Sequence, residues 1–161
     1  MSLFARALES NAPAATLLIR FVVGLVFVSE GVQKFLYPDE VGAGRFAKIP
    51  IPNPESTASI VGFFEILCGV LVIVGLFTRF AAVPLITIML TALLTTKLPI
   101  LLGSEFMGFS VRKVSYYGIW GFLHESRTDL AMLFSALFLL LAGAGKWSID
   151  SLLTARLGQD G

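Results

Sequence analysis

Four long apolar segments constrain the fold of this chain more than any other feature. They cover residues 14–36, 57–77, 79–96 and 129–146. The hydrocarbon core of a bilayer is about 30 Å thick and takes roughly 20 helical residues to cross. The segments therefore predict four transmembrane helices, because a helix pairs its own backbone polar groups inside lipid.

The composition agrees with a membrane protein. Hydrophobic residues make up 56% of the chain, charged residues only 14%, and the mean hydropathy is +0.84. The longest connection between the predicted spans, 97–128, is too short to build a separate hydrophobic core. We therefore predict an all-α fold, a single membrane domain over residues 1–161 that forms a four-transmembrane-helix bundle.

Short amphipathic segments flank the predicted bundle. Residues 2–8 and 148–157 mix leucine and isoleucine with polar residues, which is typical of helices lying along a membrane surface. Ser126 and Asp129 have the spacing of a capping box, so we expect the fourth span to begin there. Lysine and arginine occur on both sides of the predicted spans and leave the orientation in the membrane open.

The same composition argues against several kinds of site. A net charge of +1 does not favour binding of nucleic acid. The single cysteine, Cys68, allows no internal disulfide and no CxxC pair. We expect no intrinsic metal site, because no cluster has metal-ligand spacing, and no haem, flavin or iron–sulfur signature is present. Any cofactor would have to be a bound carrier rather than an intrinsic group.

Charged residues inside the predicted spans are the best candidates for a functional site. Helical geometry places Arg20, Gly24, Gly31 and Lys34 on one face of the first span, with Glu30 beside them. The glycines favour close approach of a second helix, so this face is expected to point into the bundle. Glu30 and Lys34 are one turn apart, and we predict that they form an ion pair.

The second span repeats this arrangement around one carboxylate. Glu65 lies near its middle, between Gly62 and Gly69 on one side of the helix. A carboxylate at that depth must be neutral, hydrogen-bonded or paired. Arg20 is the candidate partner for Glu65. The charges then form either a structural network that locks two helices together or a polar site for a ligand, and the residues alone leave both interpretations open.

Several short motifs, in order along the chain, resemble those of a known family of membrane proteins. They are residues 20–24 (RFVVG), 30–35 (EGVQKF), Glu65 with Gly69, 75–79 (GLFTR) and 143–150 (GAGKWSID). Together they resemble the DoxX family of small four-helix membrane proteins, over about residues 17–150. On this resemblance the candidate ligand-binding residues are Arg20, Glu30, Gln33, Lys34 and Glu65, and the candidates for a catalytic role are Glu30, Lys34 and Glu65.

The resemblance implies more about fold than about activity. The wider group includes a small membrane subunit of an archaeal thiosulfate:quinone oxidoreductase, maturation proteins of methylamine dehydrogenase and a eukaryotic cargo receptor, and a shared fold does not fix a function. Our first hypothesis is a membrane subunit of a redox system that binds a quinone or similar lipophilic carrier. Glu30 and Lys34 would lie at its headgroup, Glu65 would handle protons, and a partner protein would supply electrons.

The alternative hypothesis is a non-enzymatic membrane scaffold, or a maturation or export factor, whose intramembrane ion pairs are structural. Whether the chain is part of an enzyme is left open, as is assembly into a homo-oligomer. Both hypotheses place the protein in the bilayer, and we expect the bacterial cytoplasmic membrane.

Overall fold

The computed structural model describes residues 8–157, and every regular element in that range is helical. The helices are α1 (Thr16–Leu36), α2 (Ala43–Phe46), α3 (Pro54–Val74), α4 (Thr78–Ala92), α5 (Leu98–Leu102), α6 (Ile119–Ala142) and α7 (Ile149–Leu157). A π-helical turn, Leu93–Lys97, joins α4 to α5 without a break. The predicted all-α class is confirmed.

Three helical stretches in the described range are long and apolar enough to cross a membrane. They are Thr16–Leu36, Pro54–Val74 and Thr78–Leu102. The first two match the predicted spans closely. The third continues past the predicted end at residue 96, because the π-helical turn carries the chain directly into α5.

The fourth predicted span differs from the helix that is found. Helix α6 begins at Ile119, well before residue 129, and ends at Ala142. Its first half carries Glu125, Arg127 and Asp129, so it does not have the composition of the other three stretches. The apolar part of the helix, after Asp129, is correspondingly short.

The predicted capping box at the start of this helix is wrong. Ser126 lies inside α6, is fully buried, and donates its hydroxyl to the carbonyl of Phe122 one turn earlier. A serine in a helix interior commonly bonds the preceding turn in this way. The predicted end is close, because Gly143 follows the last residue of α6 with a positive φ of 81°.

The four long helices share one core. It is formed by two residues from each of them, namely Val23, Phe27, Cys68, Val72, Ala81, Leu85, Met132 and Leu139. Large apolar side chains on the outer faces are exposed, as expected for a surface that faces lipid. The described chain is therefore a helical bundle with an inward core and an apolar exterior.

Glycines set the distance between α1 and α3. A Cβ on Gly24 would lie 2.7 Å from the Gly69 carbonyl, and one on Gly31 would lie 2.7 Å from the Gly62 carbonyl. The order of these pairs makes the two helices antiparallel. Only glycine permits this approach, so the predicted close packing of the two glycine faces is confirmed.

The predicted surface segments have different outcomes. Residues 149–157 form the short helix α7, whose Leu152 is exposed. Of the N-terminal segment 2–8, all but Leu8 lies outside the described residues.

Candidate functional site

The best candidate site is an ion pair between α1 and α3. The ammonium of Lys34 lies 2.6 Å from Oε2 of Glu65, and the two side chains are only 10% and 3% exposed. Lys34 is in the last turn of α1, and side chains on a helix lean toward its N-terminus, which brings the ammonium back to the level of Glu65. The pair lies where Gly31 and Gly62 allow the backbones to meet.

Glu65 has more acceptor capacity than this contact uses. An ionised carboxylate offers about four acceptor positions. Among the described residues, Lys34 is its only polar partner within ion-pair or hydrogen-bond distance. Two further charges, those of Glu30 and Arg45, are near enough to act electrostatically on Glu65.

The predicted ion pair between Glu30 and Lys34 is wrong. Glu30 is exposed, and no ion pair in residues 8–157 includes it. The competing partner is Glu65, which is buried and cannot be hydrated, so the lysine satisfies it in preference to an exposed acid. Gln33, on the same exposed side, donates its amide to Ser29 at 2.9 Å.

The predicted pairing of Arg20 with Glu65 is also wrong. Arg20 is 2% exposed and lies near the opposite end of α1 from Lys34. Its guanidinium donates to the carbonyls of Val72 at 2.9 Å and Ile73 at 2.6 Å. It also donates to the carbonyls of Ala144 at 3.1 Å and Trp147 at 2.6 Å.

These contacts explain the position of Arg20 better than an acidic partner does. The last carbonyls of a helix have no partner within the helix, and the negative end of the helix dipole attracts a cation. Arg20 therefore caps the end of α3 and ties it to the segment that follows α6. Sequence reasoning considered only acidic partners and missed these backbone acceptors.

Asp150 lies on the other side of the turn between α3 and α4. We call Arg20, Asp150 and the backbone groups that they bond the terminal cluster. Its Oδ1 accepts from the backbone N–H of Phe77 at 2.7 Å and its Oδ2 from that of Thr78 at 3.0 Å. Its own N–H donates to the carbonyl of Gly75 at 2.8 Å. Asp150 thus caps the start of α4 while Arg20 caps the end of α3, and the intervening turn is held from both ends.

A second buried lysine joins the third span to α6. Lys97 lies 3.3 Å from Oδ2 of Asp129 and donates to the carbonyl of Glu125 at 2.6 Å. Arg112 lies 3.9 Å from the Glu125 carboxylate at the exposed rim. Each helix hairpin therefore has a lysine near the end of its first long helix and an acid on its second.

An apolar groove runs between α3 and α4, beginning one turn from Glu65. It is lined by Cys68, Leu71, Phe77, Phe80 and Ala81 and encloses about 400 Å³. The groove opens on the outside of the bundle, and Phe80 is exposed there. Its chemistry suits an apolar chain.

The threonines of α4 and of the π-helical turn bond to the preceding helical turn. Thr87, Thr91 and Thr95 each donate to the carbonyl four residues earlier, as threonines in helices commonly do. In the described part of the chain, no group of three His, Cys, Asp or Glu side chains is placed to hold a metal ion.

Comparison with known proteins identifies the family. The model of the DoxX family matches residues 15–98. The chain belongs to the DoxX family. An uncharacterized membrane protein of Mycobacterium tuberculosis is 47% identical over 151 residues, which cover 94% of this chain and 88% of that relative. No solved structure gives a significant match.

The DoxX match and the relative together establish an integral membrane protein. The matched range includes Lys34, Glu65 and the arginine cap, whereas Asp129 and Asp150 lie beyond it. Several residues of the family-like motifs, among them Arg20, Thr78 and Asp150, meet in the terminal cluster. These three residues therefore join helix ends.

Proposed function

We propose that this DoxX protein is the membrane subunit of a redox system and binds a quinone or similar lipophilic carrier beside the Lys34–Glu65 pair. The buried pair, at 2.6 Å between two glycine faces, is the observation that carries the proposal. Ionisable residues within a membrane are costly, and those that face a bundle interior commonly mark ligand or proton sites.

We place this site in a four-span bundle in the bacterial cytoplasmic membrane. Helix α6 supplies the fourth span, because Phe134 and Leu141 are exposed on its outer face as on a lipid-facing helix. Its acid Asp129 is neutralised by Lys97, which lowers the cost of placing it near the membrane. A lipid-facing fourth helix completes the enclosure of the shared core.

The chemistry of the pair suits a quinone headgroup. Reduction of a quinone to a quinol takes two electrons and two protons, one for each ring oxygen. The Lys34 ammonium can donate a hydrogen bond to one oxygen. Glu65 can take up a proton from water at the membrane face and pass it to the same oxygen, which returns Glu65 to the carboxylate, and the other oxygen takes its proton from water. The electrons come from a partner protein, which is a dehydrogenase in this proposal.

The groove next to Glu65 suits the tail of such a carrier. Its lining is apolar throughout, from Cys68 on α3 to Phe80 on α4, and it opens toward the lipid. A prenyl chain lying there would keep the headgroup one helical turn away, at the level of Glu65. Glu30 and Gln33, on the exposed side of α1, would meet the headgroup from outside.

Photolabelling tests the proposal directly. Purified protein is exposed to an azidoquinone, and labelled peptides are mapped in the wild type and in Glu65→Gln and Glu30→Gln. Glu55→Gln is the matched control, because Glu55 is exposed in the first turn of the same helix as Glu65. Reduced labelling of α1 and α3 in Glu65→Gln alone, or in both site variants, supports the site. Equal labelling of all four proteins, or none, rejects it.

A non-enzymatic scaffold is the second candidate, and the terminal cluster favours it. Arg20 and Asp150 are both 2% exposed, and their polar atoms form hydrogen bonds with backbone groups. If the Lys34–Glu65 pair likewise only holds two helices together, single neutral variants lose thermal stability and the apolar double variant restores it. Ligand binding is then unchanged in all of these variants. Under the redox proposal the double variant also loses carrier binding.

A further inference from the structure

A second pocket lies at the end of the bundle that carries the terminal cluster, away from Lys34. It is lined by the stretch 9–12, the start of α4 and the end of α6, and it measures about 460 Å³. Its lining residues are Glu9, Asn11, Ala12, Arg79, Leu141 and Ala142. Neither the family match nor the proposed carrier site accounts for this pocket.

Arg79 enters this pocket with most of its donors unused. One guanidinium nitrogen, Nη2, donates to the backbone carbonyl of Glu9 at 3.2 Å. Nε is buried and has no hydrogen-bond partner among the described residues. A guanidinium has five N–H groups, and a buried donor without a partner is costly. Phosphate, like carboxylate, accepts two parallel hydrogen bonds from this group, and phosphate is the anion that a lipid bilayer supplies.

The walls of the pocket are held in place by the chain itself. The hydroxyl of Ser10 donates to the carbonyl of Ala142 at 2.6 Å and accepts from the N–H of Gly145 at 3.1 Å. A Cβ on Gly143 would lie 2.9 Å from the Ser10 Cβ and 3.2 Å from Arg79 Nε. The stretch 9–12 is therefore held against the end of α6 by Ser10, and Gly143 leaves room for the guanidinium.

The surroundings of Arg79 combine an opposite charge with an apolar surface. Glu9 is exposed, and no ion pair within residues 8–157 joins it to Arg79, so both charges are open to a ligand. Leu141 is 75% exposed beside them, at the end of a helix that faces lipid. A ligand that fits has a phosphate, a cationic group a few bonds away, and an apolar part.

We propose that this pocket binds the headgroup of a glycerophospholipid that carries both a phosphate and a primary ammonium group. The phosphate lies on Arg79, the ammonium near Glu9, and the acyl chains pass over Leu141. An anionic lipid without an amine satisfies Arg79 and places no cation near Glu9, so the pocket discriminates between the two classes of lipid.

Native mass spectrometry of the protein in detergent tests this inference. Phosphatidylethanolamine and phosphatidylglycerol of identical chains are added in separate arms, and retained lipid is counted. We expect the wild type to retain the ethanolamine lipid in preference. Arg79→Gln should weaken its retention by about tenfold or more, as expected for lost hydrogen bonds to an ionised group. Arg156→Gln, an exposed cation on α7, is the control and should behave as the wild type.

Glu9→Gln keeps the proposal falsifiable if Arg79→Gln does not fold. Glu9 is exposed, so its substitution should leave the thermal stability unchanged and abolish only the preference between the two lipids. A third arm with phosphorylethanolamine, which has no acyl chains, should compete weakly. Equal retention of both lipids by the wild type, or a preference that survives Glu9→Gln, overturns the inference, and full competition by phosphorylethanolamine overturns the role of Leu141.

Discussion

Replacing Arg20 with methionine tests whether this arginine stabilises the fold by capping the end of α3. The guanidinium donates to four backbone carbonyls, two at the end of α3 and two in the segment after α6. Methionine has a similar volume but a shorter side chain and no donor, so the variant removes these bonds and leaves most of the volume filled. The four carbonyls then lose the guanidinium at a site where Arg20 was 2% exposed, and that of Val72 keeps the N–H of Gly75 at 3.2 Å.

The expected loss follows from the number and kind of these bonds. Hydrogen bonds from a charged group contribute about 1.5–3 kcal/mol each. Water and backbone relaxation at the bundle end replace part of them, so we expect a net loss of roughly 3–5 kcal/mol, the range found when a buried ionic group is broken. In a chain of this size that lowers the melting temperature by roughly 6–20 °C.

Differential scanning fluorimetry in detergent micelles measures the change. Arg20→Lys should recover only part of the loss. The planar guanidinium reaches carbonyls on two segments at once, and a single ammonium cannot. Arg127→Met is the control, since Arg127 is exposed and donates to the single carbonyl of His124. A melting temperature for Arg20→Met within about 2 °C of the wild type would refute the capping role, because surface changes alone have effects of that size.

Four further substitutions test other parts of the structure by the same melting assay. Gly31→Ala should destabilise by about 1–3 kcal/mol, because its Cβ would meet a carbonyl of α3 at 2.7 Å; a neutral effect would contradict the close packing. Asp150→Asn should lose about 1–2 kcal/mol, since an amide can accept from only one of the two N–H groups at the start of α4, and an unchanged melting temperature would count against the cap. Lys97→Met should lose about 1–3 kcal/mol by leaving a half-buried acid unpaired; no change would mean that the pair is not stabilising. Thr91→Val should stay within about 0.5 kcal/mol, because its hydroxyl bonds only its own helix, and a large loss would assign that hydroxyl another role.

The sequence predicted the spans well where hydropathy alone decides the structure. The segments 14–36 and 57–77 correspond to α1 and α3 because uninterrupted apolar residues favour one continuous helix. The predicted start of α6, at residue 129, lies ten residues after the observed start at Ile119, since the polar residues before Asp129 look like a loop. Tertiary contacts, among them the burial of Ser126 and the pairing of Asp129 with Lys97, keep that stretch helical.

The sequence made Lys34 and Glu65 candidates for the site, but it did not predict that they pair with each other. Glycine faces correctly brought Lys34 and Glu65 into the bundle, but helical spacing favoured the neighbour Glu30 over a partner across the interface. The spacing of residues along one helix does not predict which acid on a neighbouring helix a long side chain will contact. The partners of Arg20 could have been predicted from its position. Arg20 lies near the start of α1, and in an antiparallel pair this is level with the end of α3, which a glycine terminates.

Carrier affinity in lipid nanodiscs tests whether the Lys34–Glu65 pair binds the carrier. A quinone analogue is titrated into the wild type and into Lys34→Met/Glu65→Leu, an apolar double variant that removes both charges together and should keep the fold. We expect saturable binding to the wild type and affinity at least about tenfold weaker in the double variant, with a similar melting temperature. Equal affinity in the two proteins would contradict the claim that the Lys34–Glu65 pair forms the binding site.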